Sequence, residues 1–172
     1  MGISIIIRTY NEEKYLAKLL AGIDRQNVGE LTKEVILVDS GSTDKTLQIA
    51  RSFDCKIERI RKDEFSFGKS LNIGCKSATG GILVFISGHC FPVNDYWLIK
   101  LVQPILDGKV ALTYGRQLGV STSRFSEQQI FSKYFPVSSS IPQQNFFCNN
   151  ANAAVLKEVW QKYQFNEELT GL

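Results

Sequence analysis

The stretch from Glu34 to Thr46 limits what this chain can fold into more than any other. Val35, Ile36, Leu37 and Val38 form a short unbroken apolar run rich in β-branched residues. Such a run predicts a strand buried on both faces, the usual condition in a parallel sheet. It ends on a carboxylate, Asp39, followed by the small residues Ser40, Gly41 and Ser42. A helix is expected next, capped by Ser42 or Thr43, with Thr46, Ile49, Ala50 and Phe53 along one face. Asp39 lies too early to cap that helix, and the carboxyl end of a strand is where open α/β sheets bind ligands. Asp44 reads equally as a cap and as a site residue.

The flanking sequence repeats the pattern. Ile3, Ile5, Ile6 and Ile7 predict a first buried strand running into Arg8, Thr9 and Tyr10. Asn11 is placed to cap a helix that opens with Glu12 and Glu13 and carries Leu16, Leu19, Leu20 and Ile23. Residues 55–60 predict a third strand, and β-α-β-α-β order with right-handed crossovers gives a parallel sheet with helices on its faces. A loop with two aromatics, Phe65 and Phe67, leads to a helix through Ser70, Leu71, Asn72 and Cys75. Ile82 to Ile86 predicts a fourth buried strand, ending in Ser87, Gly88, His89 and Cys90. A helix over 94–106 and a fifth strand over 110–117 are expected to follow. The polar stretch 118–145 holds at most a short helix over 126–134. Phe146 to Cys148 reads as one more strand, and 153–163 as a helix.

A chain of 172 residues with 44% hydrophobic and 22% charged residues is one ordinary globular domain by size and composition. Its net charge of +3 gives no case for nucleic acid as a partner. The one dense basic cluster, Lys56, Arg59, Arg61 and Lys62, is accounted for by a solvated strand edge. Cys55, Cys75, Cys90 and Cys148 show no paired spacing, so free thiols in a reducing, cytoplasmic compartment are expected. No apolar run reaches the length of a membrane span. A dinucleotide-binding fingerprint is absent after the first strand, and Gly68-Lys69-Ser70 lacks the leading glycine and strand of a P-loop.

With Thr9-Tyr10-Asn11-Glu12, Val38-Asp39-Ser40-Gly41-Ser42-Thr43-Asp44 and Leu71-Asn72-Ile73-Gly74 in view, the sequence resembles the family 2 glycosyltransferases over almost its whole length. These are inverting enzymes of the GT-A fold, and the nearest likeness is to bacterial transferases that build rhamnose-containing and other surface polysaccharides. The resemblance implies a GT-A, Rossmann-like, open and mostly parallel sheet with helices on both faces. It implies transfer of a sugar from a nucleoside diphosphate-sugar to a saccharide or lipid-linked acceptor. Thr9, Tyr10 and Glu12 would line the base and ribose pocket, and Asp39 would accept hydrogen bonds from base or ribose. Lys69 and Asn72 match the region that meets the nucleotide or its phosphates. Asn149, Asn150 and Asn152 would sit near the sugar or acceptor, unless they serve only as turn residues, with Arg116 and Gln117 on the same face. Peripheral attachment at the inner face of the cell membrane is open, as is the oligomeric state.

Two departures qualify that likeness. The family carries an Asp-x-Asp that holds Mg²⁺ or Mn²⁺ after its fourth strand, and here Ser87-Gly88-His89 stands in its place. A hard divalent cation prefers carboxylate oxygens, so its affinity should be poor. His89, the only histidine, is left to ligate Mn²⁺, to contact a phosphate oxygen directly, or merely to pack in its loop. The family's catalytic carboxylate lies just beyond a run matched by Phe165 to Leu172, so the base is expected past Leu172 and residues 1–172 are expected to be a C-terminally truncated catalytic domain. Glu167 and Glu168 precede that position. A non-catalytic nucleotide- or sugar-binding module on the same fold is the alternative. A nucleotidyltransferase is disfavoured, since the turn after the first strand has no glycine.

Overall fold

A computed structural model describes residues 1–119, 125–144 and 147–169. Six strands form one sheet: β1 (Gly2–Thr9), β2 (Thr32–Asp39), β3 (Lys56–Arg59), β4 (Ile82–Ser87), β5 (Leu112–Tyr114) and β6 (Asn152–Leu156). Their order is β3-β2-β1-β4-β6-β5. The first four run parallel, while β6 lies antiparallel to both β4 and β5. The helices are α1 (Leu16–Asp24), α2 (Thr46–Ser52), α3 (Phe67–Ser77), α4 (Trp97–Leu106), α5 (Phe125–Tyr134) and α6 (Lys157–Lys162).

The two-residue period of the strands divides the core into two layers. Ile3, Ile5, Ile7, Leu37, Val84 and Ile86 face one side, against Leu16, Leu20 and Ile23 of α1 and Leu98 and Val102 of α4. Ile6, Ile36, Val38, Leu83 and Phe85 face the other, against Leu71 and Cys75 of α3 and Trp160 of α6. Apolar residues at every strand position are therefore covered, as the unbroken run at 35–38 requires. The mostly parallel α/β sheet expected from the sequence is what forms.

The differences gather in the last third of the chain. The predicted helix over 153–163 is a strand over its first half: Ala153, Ala154 and Val155 pair with Phe85, Val84 and Leu83 of β4. A short apolar run is ambiguous by period, and the open edge of β4 decides it for the strand. The fifth strand is confined to Leu112–Tyr114. Phe147 and Cys148 are not in a strand, and Phe146 lies outside the described residues. The short helix expected over 126–134 forms as α5.

Candidate functional site

Parallel packing carries the ends of β1, β2 and β4 to one edge of the sheet, with Thr9 in register with Asp39 and Arg8 with Ser87. The loops after β1 and β2 are then tied to each other. The amide of Asn11 donates to Ser42 Oγ at 2.9 Å, and Thr43 N donates to Asn11 Oδ1 at 2.8 Å. Glu12 N donates to Thr46 Oγ1 at 2.7 Å, Glu13 N to Asp44 Oδ2 at 3.0 Å, and Lys45 N to Glu13 Oε2 at 3.0 Å. Asn11 does not cap a helix as the sequence suggested. It takes a left-handed turn (φ 54°), and α1 begins only at Leu16. Neither Ser42 nor Thr43 caps α2; instead Asp44 Oδ1 accepts from Thr46 N at 2.9 Å. The polar residues of both motifs thus build a rigid rim, which holds Thr9, Tyr10 and Asp39 in place.

Two cavities open along that rim. One, of about 370 Å³, is lined by Arg8, Thr9, Tyr10, Lys62, Ser87 and His89, with Phe65 and Phe67 as its apolar wall. The other, of about 310 Å³, is lined by Asp39, Ser42, Leu47, Arg59 and Arg61. Ser40 lines the first, and its chain neighbours Asp39 and Gly41 line the second. Asp39 is 1% exposed, and its Oδ2 accepts from the amides of Gly41 and Ser42 at 3.1 and 3.0 Å. Thr9 Oγ1 reaches Asp39 Oδ1 only at 3.4 Å, which leaves that oxygen with acceptor capacity. Tyr10 is half exposed, and its hydroxyl accepts from Lys62 Nζ at 2.9 Å.

Glu12 and His89, far apart in sequence, meet at the end of β4. His89 Nδ1 lies 3.1 Å from Glu12 Oε1, so a ring protonated on Nδ1 donates to the carboxylate and leaves Nε2 for a ligand. Gly88 makes this approach available, since a Cβ there would come within 3.0 Å of Glu12 Cγ and 3.3 Å of the Arg8 carbonyl oxygen.

Other expected residues are placed elsewhere. Asn72 is buried, and its amide is fully engaged away from both cavities. Its Nδ2 donates to Phe165 O and Glu167 Oε1, each at 2.9 Å. Its Oδ1 accepts from Trp160 Nε1 at 3.0 Å and Phe165 N at 3.1 Å. Lys69 is turned to Glu64, with Nζ 3.4 Å from Oε2, and lines neither cavity. Asn149 closes the turn before β6, its Oδ1 accepting from Gln117 Nε2 and Ala151 N at 2.9 and 2.7 Å. Asn150 is half-buried in the same turn. Asn152 accepts from Trp97 Nε1 at 2.9 Å and donates to Arg116 O at 3.2 Å. These contacts tie elements together; for Asn149 they match the turn role weighed from sequence, while Asn72 and Asn152 serve packing instead.

Conversely, sequence reasoning passed over four cations. Arg59, Arg61 and Lys62, read as a solvated strand edge, line the two cavities. Arg8 was treated as the end of a strand; a charge terminating a run of isoleucines was the available signal.

Such an α/β sheet, with its clefts beyond the carboxyl ends of parallel strands, has the architecture of the GT-A nucleotide-binding domains. The family model for glycosyl transferase family 2 matches residues 4–164, and the chain belongs to that family. The poly(ribitol-phosphate) β-N-acetylglucosaminyltransferase TarS of Staphylococcus aureus (strain Mu50) is 34% identical over 90 residues, taking in 50% of this chain and 16% of TarS. Glycosyltransferase AglE of Haloferax volcanii is 32% identical over 123 residues, taking in 65% of this chain and 40% of AglE. The crystal structure of S. aureus TarS 1–349 superposes with a TM-score of 0.73 at 23% identity, covering 99% of this chain and 52% of that one. The mannosyltransferase PcManGT from Pyrobaculum calidifontis, solved with GDP-Man and Mn²⁺, superposes with a TM-score of 0.73 at 21% identity, covering 97% of this chain and 48% of that one. This chain therefore spans about half, or less, of the proteins it resembles.

The donor set here does not suit a divalent cation of that kind. Among the described residues, no group of three or more His, Cys, Asp or Glu side chains is placed to hold a metal. Beside the first cavity Glu12 and His89 are turned to each other. Mg²⁺ and Mn²⁺ favour several oxygen ligands, which one carboxylate and one imidazole do not supply.

Proposed function

We propose that this chain is the donor-binding domain of an inverting glycosyltransferase, taking a nucleoside diphosphate-sugar and passing the sugar to a saccharide or lipid-linked acceptor in bacterial surface-polysaccharide synthesis. The observation that carries the reading is the paired cavity at the rim of β1, β2 and β4. One side offers a buried carboxylate, Asp39, with a free acceptor position; the other offers Thr9 and Tyr10 beside three basic side chains. A carboxylate suits the N–H of a base or the hydroxyls of a ribose, and a cationic, partly apolar cleft suits the diphosphate and sugar. Family membership supports this, and so do TarS solved with UDP and PcManGT solved with GDP-Man. Inversion calls for a carboxylate base. None lines the first cavity among the described residues, so that role is assigned to none of them. No helix among the described residues is long and apolar enough to cross a membrane.

Calorimetric titration with UDP, GDP and dTDP tests the donor site. One nucleotide should bind in the micromolar range, and Asp39→Asn should weaken it about tenfold, the value of one hydrogen bond to a charged acceptor. If all three fail to bind, the proposal falls. A non-catalytic binding module is favoured by the missing Asp-x-Asp and by the lack of a carboxylate base lining the first cavity among the described residues, and sugar transfer to an acceptor would end that reading.

A further inference from the structure

Arg8 is the residue of the cleft that the rest of the fold leaves unexplained. It stands at the end of β1, partly buried, with its guanidinium 4.8 Å over the ring of Phe67. Among the described residues, no carboxylate lies within ion-pair distance of it. Burial pushes its pKa down, and no neighbouring acid offsets that effect. A partly desolvated cation without a counter-charge is costly, and such a cation in an open cleft invites an anion.

Two more basic side chains, His89 and Lys62, meet it there from separate elements. Arg8 is in register with Ser87, so Arg8 and the Gly88–His89 loop leave the sheet side by side on neighbouring strands. His89 is steadied by Glu12 through Nδ1, and with both ring nitrogens protonated its Nε2–H is the donor left for a phosphate oxygen. Lys62, from the turn after β3, is held at the cleft by Tyr10, with Nζ 4.8 Å from the ring centroid and bonded to the hydroxyl. All three line the same cavity, whose described wall contains no acid. A guanidinium offers paired donors to phosphate oxygens and a lysine a mobile point charge.

We propose that Arg8, Lys62 and His89 form a diphosphate cradle that works without a divalent cation, neutralising the charge that a metal held by an Asp-x-Asp would otherwise meet. The inference rests on the donor-site reading above, and adds to it that the charge of the leaving nucleoside diphosphate is met by side chains.

Calorimetry with inorganic pyrophosphate separates the two ideas, because it probes the cradle without the base and ribose. In EDTA, pyrophosphate should bind the wild type, and adding Mg²⁺ or Mn²⁺ should change the Kd less than twofold, within the scatter expected when no ligand bond is gained. Arg8→Gln should weaken pyrophosphate about tenfold, and Lys62→Ala, at an exposed position that leaves the core untouched, about threefold. Arg8→Lys, which retains the charge, should recover part of the loss, and thermal melts establish that each variant is folded. The same variants should weaken the nucleoside diphosphate while leaving the affinity for the free nucleoside unchanged. Binding of pyrophosphate and nucleoside diphosphates only with Mg²⁺ or Mn²⁺ overturns the cradle and leaves the donor site standing. Pyrophosphate binding in EDTA that depends on Arg8, with no nucleotide bound, upholds the cradle and ends the donor reading. Failure of pyrophosphate to bind under any condition, or equal binding by Arg8→Gln and Lys62→Ala, overturns the cradle.

Discussion

The two sides of the sheet are held together by different means. On the β1–β2 side, site residues are fixed by near neighbours: Asn11, Glu12 and Glu13 trade hydrogen bonds with Ser42, Thr43, Asp44 and Thr46 across adjacent loops. On the β4–β6 side, placement depends on contacts between segments far apart in the chain. Asn72 of α3 takes hold of Phe165 and Glu167, and Gly68 lets that segment lie across the helix start, where a Cβ would fall 2.0 Å from the carbonyl oxygen of Asn166. The first side resembles a preformed receptor. The second is a docked strap held by one buried amide and by the edge-on packing of Phe165 against Phe85 of β4.

The largest effect is expected where one residue serves most partners. Asn72→Ala removes four hydrogen bonds and leaves the indole N–H of Trp160 and the main chain of Phe165 without partners in a buried site. About 3 kcal/mol should be lost in a urea melt, since each buried orphan costs on the order of 1–3 kcal/mol and relaxation recovers some of it. If the asymmetry holds, hydrogen exchange should quicken first over 157–169, with β1 and β2 protected as before. Uniform quickening across the sheet would mean that the two sides unfold as one. Gly68→Val sharpens the point, since it should displace the same segment while keeping the Asn72 amide.

The rim should answer more mildly. Thr46→Val keeps the shape of a fully buried side chain but removes the acceptor for Glu12 N. A loss of about 1–2 kcal/mol is expected, the usual cost of an unpaired buried donor with water nearby. The comparison predicts a second readout here. Glu12 positions His89, so pyrophosphate affinity should weaken modestly in Thr46→Val and remain unchanged in a refolded Asn72→Ala. The reverse order would show the strap, not the rim, setting the cleft.

The same contrast explains how much could be read in advance. The rim was legible because its residues fall at strand ends in two short motifs, where hydrophobic period and small-residue loops announce the geometry. Thr9, Tyr10 and Asp39 do line the cavities, and Glu12 reaches the first through His89. Asn72 and Asn149 spend their amides on distant segments and line neither cavity, since an asparagine gives the same local signal whether its amide meets a ligand or a distant backbone. Ala153 to Val155 read as helix from their own sequence for a like reason, since β4's vacant edge leaves no mark there. Arg8 was missed because a single charge directly after Ile5, Ile6 and Ile7 looks like the place where a strand meets solvent. The pairing of β1 with β4 is what puts it in the cleft beside Ser87.

The smallest expected effect tests whether the rim is tied by charge as well as by shape. Asp44 accepts from Thr46 N and Glu13 N. Desolvation by itself would raise its pKa, but the hydrogen bonds from Thr46 and Glu13 outweigh it and hold the carboxyl below the ordinary Asp value. A depressed folded-state pKa gives stability that is fully present above the unfolded value, near 3.9, and is lost as pH falls through the folded one. Urea melts of the wild type and Asp44→Asn should therefore differ by a constant amount from neutral pH down to about pH 5, and the gap should close below about pH 4. A gap that persists at the lowest pH would show the tie to be one of geometry, since Asn can accept through a single oxygen but cannot serve both loops as the carboxylate does. In that event the rigidity of the donor rim would owe little to ionisation, and its contrast with the strap would be one of contact distance along the chain alone.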